Sequence, residues 1–202
     1  MEDKFQGHFI RWREVRINKL ISILGKDWFK GKSILELACG YGHIGKSLKE
    51  LGAIVTQTEG NPEYAKVAEA IVLDQDKEWD LKREFDLVIH WGILQHLDNW
   101  RRDLQTAIRH GRIITLDTEC VDFDDPMAEI KVNENWYDGA MNKIGTRASV
   151  AAIEKCIADL GCTFKRYDDS GLDVEYHKYS WKEGEYKNDW KSTLRRFWMI
   201  YK

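Results

Sequence analysis

The fold is decided by residues 34–45, which read Ile34-Leu35-Glu36-Leu37-Ala38-Cys39-Gly40-Tyr41-Gly42-His43-Ile44-Gly45. A short apolar run, typical of a buried strand, ends in glycines, and the residues after them have the pattern of a helix. Gly40 and Gly42 lack the side chains that would keep a ligand away from the backbone. They also allow the tight turn that directs a helix N-terminus at that ligand. This strand, loop and helix are suited to binding a nucleotide.

Glu36 is unusual for such a strand. In a dinucleotide fingerprint this position is apolar and buried, whereas a carboxylate needs a cationic or hydrogen-bonding partner there. The glycines alone also spell Gly-x-Gly-x-x-Gly, with Gly45 as the third. An NAD(P)-dependent oxidoreductase is therefore one alternative, and a nucleotide-binding protein without catalytic activity is another.

The composition fits one domain with a full-sized core, since 43% of the 202 residues are hydrophobic. The formal net charge is only -3, from 31 basic and 34 acidic residues, which gives no long-range attraction for nucleic acid or membranes. No cysteine pair has zinc-ligand spacing, and no apolar stretch has the length of a membrane span. We predict a cytoplasmic protein without a metal site or membrane contact, and a nucleic-acid partner is disfavoured.

Strand and helix patterns alternate along most of the chain. Five apolar runs predict buried parallel strands, which begin at Ser33, Ile54, Ile71, Phe85 and Arg112. The last third differs, because residues 163–167 and 194–201 both have strand patterns with no helix between them. We predict an α/β fold in three layers: a seven-stranded, mostly parallel sheet with an antiparallel last strand pair and helices on both faces.

Several motifs lie in a characteristic order along this pattern. Glu36 precedes the glycine loop, and Glu59 ends the next strand, where one carboxylate can accept hydrogen bonds from two ribose hydroxyls. Asp74-Gln75 follows the third strand, and residues 85–97 hold the fourth strand and its continuation. In this order the motifs resemble those of the class I S-adenosylmethionine-dependent methyltransferases, from about Lys32 to the C-terminus.

The resemblance implies that the cofactor is S-adenosylmethionine (SAM) and that its product is S-adenosylhomocysteine (SAH). In that family the glycine loop lies beneath the methionine part of the cofactor, and an acidic side chain after the third strand faces the adenine amino group. The residues expected to contact the cofactor are Glu36, Cys39, Gly40, Tyr41, Gly42, Glu59, Gly60, Asp74, Gln75 and His90.

The implied activity is methyl transfer to an oxygen or nitrogen of a small molecule. The nine tryptophans fit stacking on a saccharide-like metabolite, although they fit core packing equally well. His90-Trp91-Gly92 differs from the Asn/Asp-Pro-Pro-Tyr sequence of enzymes that methylate exocyclic base amines, which argues against a DNA-adenine enzyme. The residues expected to contact the acceptor are Trp91, Glu119, Trp136, Tyr137 and Tyr179.

The whole chain, residues 1–202, is expected to form one methyltransferase domain. Residues 1–31 are predicted to be a helical cover. Residues 126–148 and 168–193 interrupt the alternation and are expected to lie on the acceptor side, because loops above the strand ends carry specificity in open α/β sheets.

Two histidines are candidate bases. Methyl transfer mainly requires alignment of the reacting atoms, and a base also helps when the acceptor is an oxygen. His96 is predicted to lie one turn into a helix, where a structural, hydrogen-bonded histidine is the alternative. Alternation predicts that His177, Tyr179 and Trp181 share one face of a strand and form the floor of an acceptor pocket. A partly buried aromatic strand is the alternative there.

Five carboxylates follow the fifth predicted strand, at Asp117, Glu119, Asp122, Asp124 and Asp125. We expect them in a solvated loop. A positively charged acceptor or a divalent cation would be the functional alternatives, but the spacing matches no metal-ligand motif.

Overall fold

The structure is a computed structural model that describes residues 6–136, 139–175, 177–187 and 194–202. The strands in this part of the chain are β1 Ser33–Glu36, β2 Ile54–Glu59, β3 Ile71–Val72, β4 Phe85–Trp91, β5 Gly111–Val121, β6 Glu129–Asn133, β7 Ile144–Ser149, β8 Thr163–Tyr167 and β9 Arg195–Tyr201. The α-helices are α1 His8–Leu24, α2 His43–Glu50, α3 Pro62–Ala68, α4 Trp100–His110 and α5 Val150–Asp159.

The strands form one mixed sheet, in which β3, β2, β1, β4 and β5 lie side by side and parallel. Most of β5 then pairs with β9, and β9 pairs with β8, both antiparallel. The predicted α/β fold and its antiparallel last strand pair are confirmed. Two further strands lie within residues 126–148 or at their end, because β6 and β7 form a hairpin that joins the last two residues of β5.

Helices cover both faces of the sheet, as the alternation along its strands requires. In β1, Ile34 packs into the core beneath α1 and α2, while its neighbour Leu35 packs into the core beneath α4 and α5. Leu87 and Val88 of β4 divide between the two cores in the same way. A period of two is the geometry of a strand that is buried on both faces.

Strand β5 is longer than the sequence pattern predicts. It continues through Asp117 and Glu119 to Val121, and the side chains of both acids are buried. Asp122 is buried as well, so the expectation of a solvated loop is wrong for these three acids, whereas Asp124 and Asp125 are exposed. Charged residues in a buried strand need ionic partners.

Two local predictions near the strand ends are wrong. His96 lies in a single 3-10 turn, Leu94–His96, and the next α-helix begins only at Trp100. Tyr179 and Trp181 do not share a strand face, because Tyr179 belongs to the core beneath α1 and Trp181 to the opposite core. The chain bends at residues 179–180 instead of continuing as a strand.

No helix in the described ranges is long and apolar enough to cross a bilayer.

Gly45 in α2 packs directly against β1 and β2. A Cβ atom there would lie 2.5 Å from Gln57 Nε2 and 2.7 Å from Glu36 Oε2, in the space where these two side chains hydrogen-bond to each other. The helix can approach the sheet this closely only because the residue has no side chain.

We expect Gly45→Ala to destabilise the fold by about 1–3 kcal/mol, because the new methyl group would break the buried bond between Gln57 and Glu36. At an ordinary position inside a helix, replacing glycine by alanine stabilises the folded state by about 1 kcal/mol. Urea unfolding measures the difference, with Lys46→Ala at an exposed position of the same helix as control. Stabilisation by Gly45→Ala would show that the close packing does not matter.

Candidate active site

A cleft of about 610 Å³ opens at the carboxyl ends of the parallel strands, where open α/β sheets bind their ligands. On one side, which we call the glycine side, it is lined by residues that end or follow β1, β2 and β3. On the other, the histidine side, it is lined by residues after β4, from β5 and β7, and at the start of β9. Helix α1 adds Phe9, Trp12 and Arg13 to the lining.

On the glycine side, the carboxylate of Glu59 organises the backbone. Its Oε2 accepts from Gly40 N at 2.8 Å, and its Oε1 accepts from Asn61 N at 2.9 Å. Gly40 and Gly42 both have positive φ, which only glycine adopts easily. Gly42 does not line the cleft. Its role is in the turn, where a side chain would be crowded because a Cβ atom would lie 3.0 Å from Gln57 Nε2.

Glu36 lies in the wall of the glycine side and is almost completely buried. Its Oε2 accepts from Gln57 Nε2 at 2.8 Å, which is the hydrogen-bonding partner that a carboxylate in this strand requires. Its Oε1 has no partner among the described residues. Burial raises the pKa of Glu36 to about 8, so a ligand that brings positive charge to this carboxyl would favour its ionised form.

The expected contacts of the glycine side separate into two groups. Cys39, Gly40, Tyr41, Gly60, Asp74 and Gln75 line the cleft together with Glu36 and Glu59. His90 does not. Its side chain is fully buried away from the cleft, with Nε2 2.7 Å from Asp103 Oδ2 of α4, because alternation along β4 turns it to the α4 face.

On the histidine side, a hydrogen-bond network determines the tautomer of His96. Gln95 Nε2 donates to Gly92 O at 2.9 Å, and Gln95 Oε1 accepts from Thr118, so the orientation of this amide is fixed. The same Nε2 lies 3.1 Å from His96 Nε2, which must then act as the acceptor. The proton of neutral His96 is therefore on Nδ1, where it is donated to Glu134 Oε2 at 2.5 Å.

Glu134 is also the first member of a chain of buried ion pairs. Arg147 pairs with Glu134 and, at 2.7 Å, with Glu119. Arg195 lies 3.5 Å from Glu119 and 3.2 Å from Asp117, and Asp117 pairs in turn with Arg16 of α1. We call these residues, from His96 to Arg16, the ion chain. Its three arginines balance its three carboxylates, which explains how β5 can carry buried acids.

The expected acceptor contacts are only partly brought together. Trp91, Glu119 and Trp136 line the cleft, as does the second candidate base, His177. Tyr179 does not, because it is buried beneath α1 and its hydroxyl donates to Asp117 at 3.0 Å. Tyr137 lies outside the described residues.

Sequence reasoning missed Glu134, Arg147 and Arg195. Arg147 of β7 and Arg195 of β9 carry the positive charges that pair with the buried acids of β5. This complementarity of charge can be recognised only once it is known which strands are neighbours. In the part of the chain that the structure describes, no group of three His, Cys, Asp or Glu side chains is arranged to hold a metal ion.

The sequence profile of the methyltransferase domain family matches residues 9–165. The chain belongs to the class I SAM-dependent methyltransferase family. It uses SAM as cofactor and forms SAH as product. The dinucleotide-dependent oxidoreductase suggested by Gly-x-Gly-x-x-Gly is thereby set aside. No curated protein is significantly similar in sequence.

Solved structures show the same fold at low sequence identity. A SAM-dependent methyltransferase from Mesorhizobium loti is 14% identical and has a TM-score of 0.65, over 93% of this chain and 98% of that one. Magnesium protoporphyrin IX methyltransferase from Synechocystis PCC 6803 with bound SAM is 13% identical, TM-score 0.63, over 96% and 81%. The N-terminal domain of EvdMO1, determined with SAH and D-fucose, is 15% identical, TM-score 0.66, over 95% and 82%.

The raised pKa of Glu36 predicts a pH-dependent stability. Its ordinary value is 4.5, so between about pH 4.5 and pH 8 the side chain is neutral in the folded chain and ionised in the unfolded one. The stability that Glu36 contributes is complete below about pH 4.5 and is lost as the pH rises to about 8, by up to about 1.4 kcal/mol per pH unit.

The variant Glu36→Gln cannot ionise, so we expect it to become more stable than the wild type as the pH rises through this window. Urea unfolding of both proteins without cofactor, at about pH 5 and about pH 8, measures the difference. If the two free energies of unfolding change in parallel with pH, Glu36 titrates normally and the prediction is wrong.

Proposed function

We propose that the protein transfers a methyl group from SAM to a hydroxyl oxygen of a small-molecule acceptor, with His96 as the base. The observation that supports this is the arrangement of His96, which carries its proton on Nδ1 against Glu134 and its lone pair on Nε2, in the lining of the cleft. A nitrogen acceptor is the second candidate, since a neutral amine can lose its proton after the transfer.

The residues of the glycine side fit the cofactor. Glu59 retains lone pairs for ribose hydroxyls after accepting from Gly40 and Asn61. Glu36 offers to a positive group a buried carboxyl oxygen that has no partner among the described residues. When bound, SAM supplies an electrophilic methyl group on a positively charged sulfur, and the protein aligns the acceptor with it.

Glu134 holds His96 in the productive orientation. Burial alone would raise the pKa of Glu134, but the hydrogen bond from His96 and the charge of Arg147 hold it below its usual value. The carboxylate therefore stays ionised and stabilises the imidazolium that forms when His96 Nε2 takes a proton. Gln95 donates to Nε2 in the free protein, and the acceptor hydroxyl would take that place.

The histidine side suits a polar acceptor with several hydroxyl groups. Glu119 accepts hydrogen bonds, Arg147 and Arg195 donate them, and Trp91 and Trp136 supply aromatic faces in the same lining. This mixture fits a saccharide-like molecule, and the structure of the EvdMO1 domain with D-fucose gives a further reason to test sugars.

The cofactor contacts are tested by SAH binding. We expect SAH to raise the melting temperature of the wild type, as any ligand of the folded state does. Glu59→Gln should weaken SAH binding at least about tenfold, because an amide cannot accept from both ribose hydroxyls and both backbone N–H groups. Calorimetry measures the affinities, with Glu63→Gln at an exposed position of α3 as control. An unchanged affinity in Glu59→Gln would contradict the assignment.

The base is tested by transfer of an isotopically labelled methyl group to a panel of sugars, other hydroxylated small molecules and amines. For an acceptor that receives the labelled methyl group, we expect His96→Gln to lower kcat by about 10²–10⁴-fold. Glu134→Gln should lower kcat less, and the affinity for SAH should be unchanged in both variants. His177→Gln is the matched comparison. A larger loss in His177→Gln than in His96→Gln would transfer the role of base to His177.

A further inference from the structure

Asp103 of α4 binds the loop that follows β3. Its carboxylate is fully buried and lies outside the cleft lining. It accepts from Trp79 Nε1 at 2.8 Å and from Gln75 Nε2 at 3.2 Å and 3.3 Å, and His90 Nε2 lies 2.7 Å from it. Of the four residues, only Gln75 lines the cleft.

These contacts fix the orientation of the Gln75 amide. Trp79 Nε1 can only donate, so the Asp103 carboxyl group acts as the acceptor, and the NH₂ group of Gln75 lies within hydrogen-bond distance of both of its oxygens. In the opposite orientation the carbonyl oxygen of Gln75 would face the Asp103 oxygen that accepts from Trp79. The amide of Gln75 has two polar atoms. Because its nitrogen faces Asp103, its carbonyl oxygen is the atom that can accept a hydrogen bond from a ligand. No described residue donates a hydrogen bond to it.

We propose that Asp103 makes the protein selective for an amino group on the purine of its cofactor, by holding Gln75 with its carbonyl oxygen available to the cleft. A carbonyl oxygen accepts from the exocyclic amino group of adenine. It repels the keto oxygen that hypoxanthine has at the same position. Asp103 is a positioning residue, because it acts through Gln75 and does not itself line the cleft.

Asp74 is less suited to this discrimination, although it is the acid at the position where the family reads adenine. Its Oδ1 accepts from Asp76 N at 3.1 Å, and its Oδ2 pairs with Lys77 at 3.1 Å. Its side chain is also partly exposed, and water weakens the selectivity of a hydrogen bond. The Gln75 amide is nearly buried and has only one satisfied orientation.

The proposal rests on the cofactor assignment, and it is tested by the ratio of two affinities. Calorimetry is performed with SAH and with S-inosylhomocysteine, whose purine has a keto group at C6 in place of the amino group and therefore also a proton on N1. We expect the wild type to prefer SAH by about tenfold or more. In Asp103→Asn, the new side-chain amide can form a hydrogen bond with Gln75 in either orientation of the Gln75 amide. The ratio of the two affinities should therefore fall.

A structural defect would weaken both ligands equally and leave their ratio unchanged. Gln75→Leu removes the carbonyl group itself and keeps the carboxyl group of Asp103, and it should lower the ratio in the same way. Asp159→Asn, at an exposed carboxylate of α5, is the control and should keep the ratio of the wild type. A wild-type ratio in both Asp103→Asn and Gln75→Leu overturns the proposal, while the absence of SAH binding to the wild type overturns the cofactor site itself.

Discussion

The buried ion chain is the interaction on which the histidine side of the cleft depends. It joins side chains from α1, β5, β7, β9, the residue after β6 and the turn after β4: Arg16, Asp117, Arg195, Glu119, Arg147, Glu134 and His96. Opposite charges alternate from Arg16 to Glu134, so Asp117 and Glu119 each have an arginine on either side, and Glu134 lies between Arg147 and the Nδ1–H group of His96. Removing one member of a buried pair typically costs about 3–5 kcal/mol, because the remaining charge is left without compensation. The chain therefore holds these elements in one arrangement.

The two sides of the cleft are built differently. On the glycine side, backbone N–H groups and a single strand-end carboxylate, Glu59, form the surface, so sequence patterns along consecutive strands describe it well. On the histidine side, side chains from distant segments meet, and α1 contributes both Arg16 and residues of the lining. We propose that acceptor specificity resides in the second kind of construction, since function depends on sites built onto a fold and not on the fold itself.

Several features of the fold follow from sequence alone, and others do not. The glycine loop, the order of the five parallel strands and the last antiparallel pair are predictable because periodicity is a local property. The end of β5 is not, since Asp117 and Glu119 are typical of a loop until Arg16, Arg147 and Arg195 are known to neutralise them. For the same reason Glu134 could not be paired with His96. Their contact depends on a hairpin whose neighbours only the three-dimensional structure reveals.

The proposed role of His96 as the base requires that Glu134 and Gln95 hold the neutral ring with its proton on Nδ1 and its lone pair on Nε2. Nitrogen chemical shifts of the imidazole ring, measured by NMR above the pH at which His96 loses its charge, distinguish the two tautomers directly. We expect the Nδ1–H tautomer in the wild type and a smaller fraction of it in Glu134→Leu, where Gln95 alone still favours it. A wild-type His96 that carries its proton on Nε2 would leave no base in the cleft at this position and would contradict the proposed role of His96.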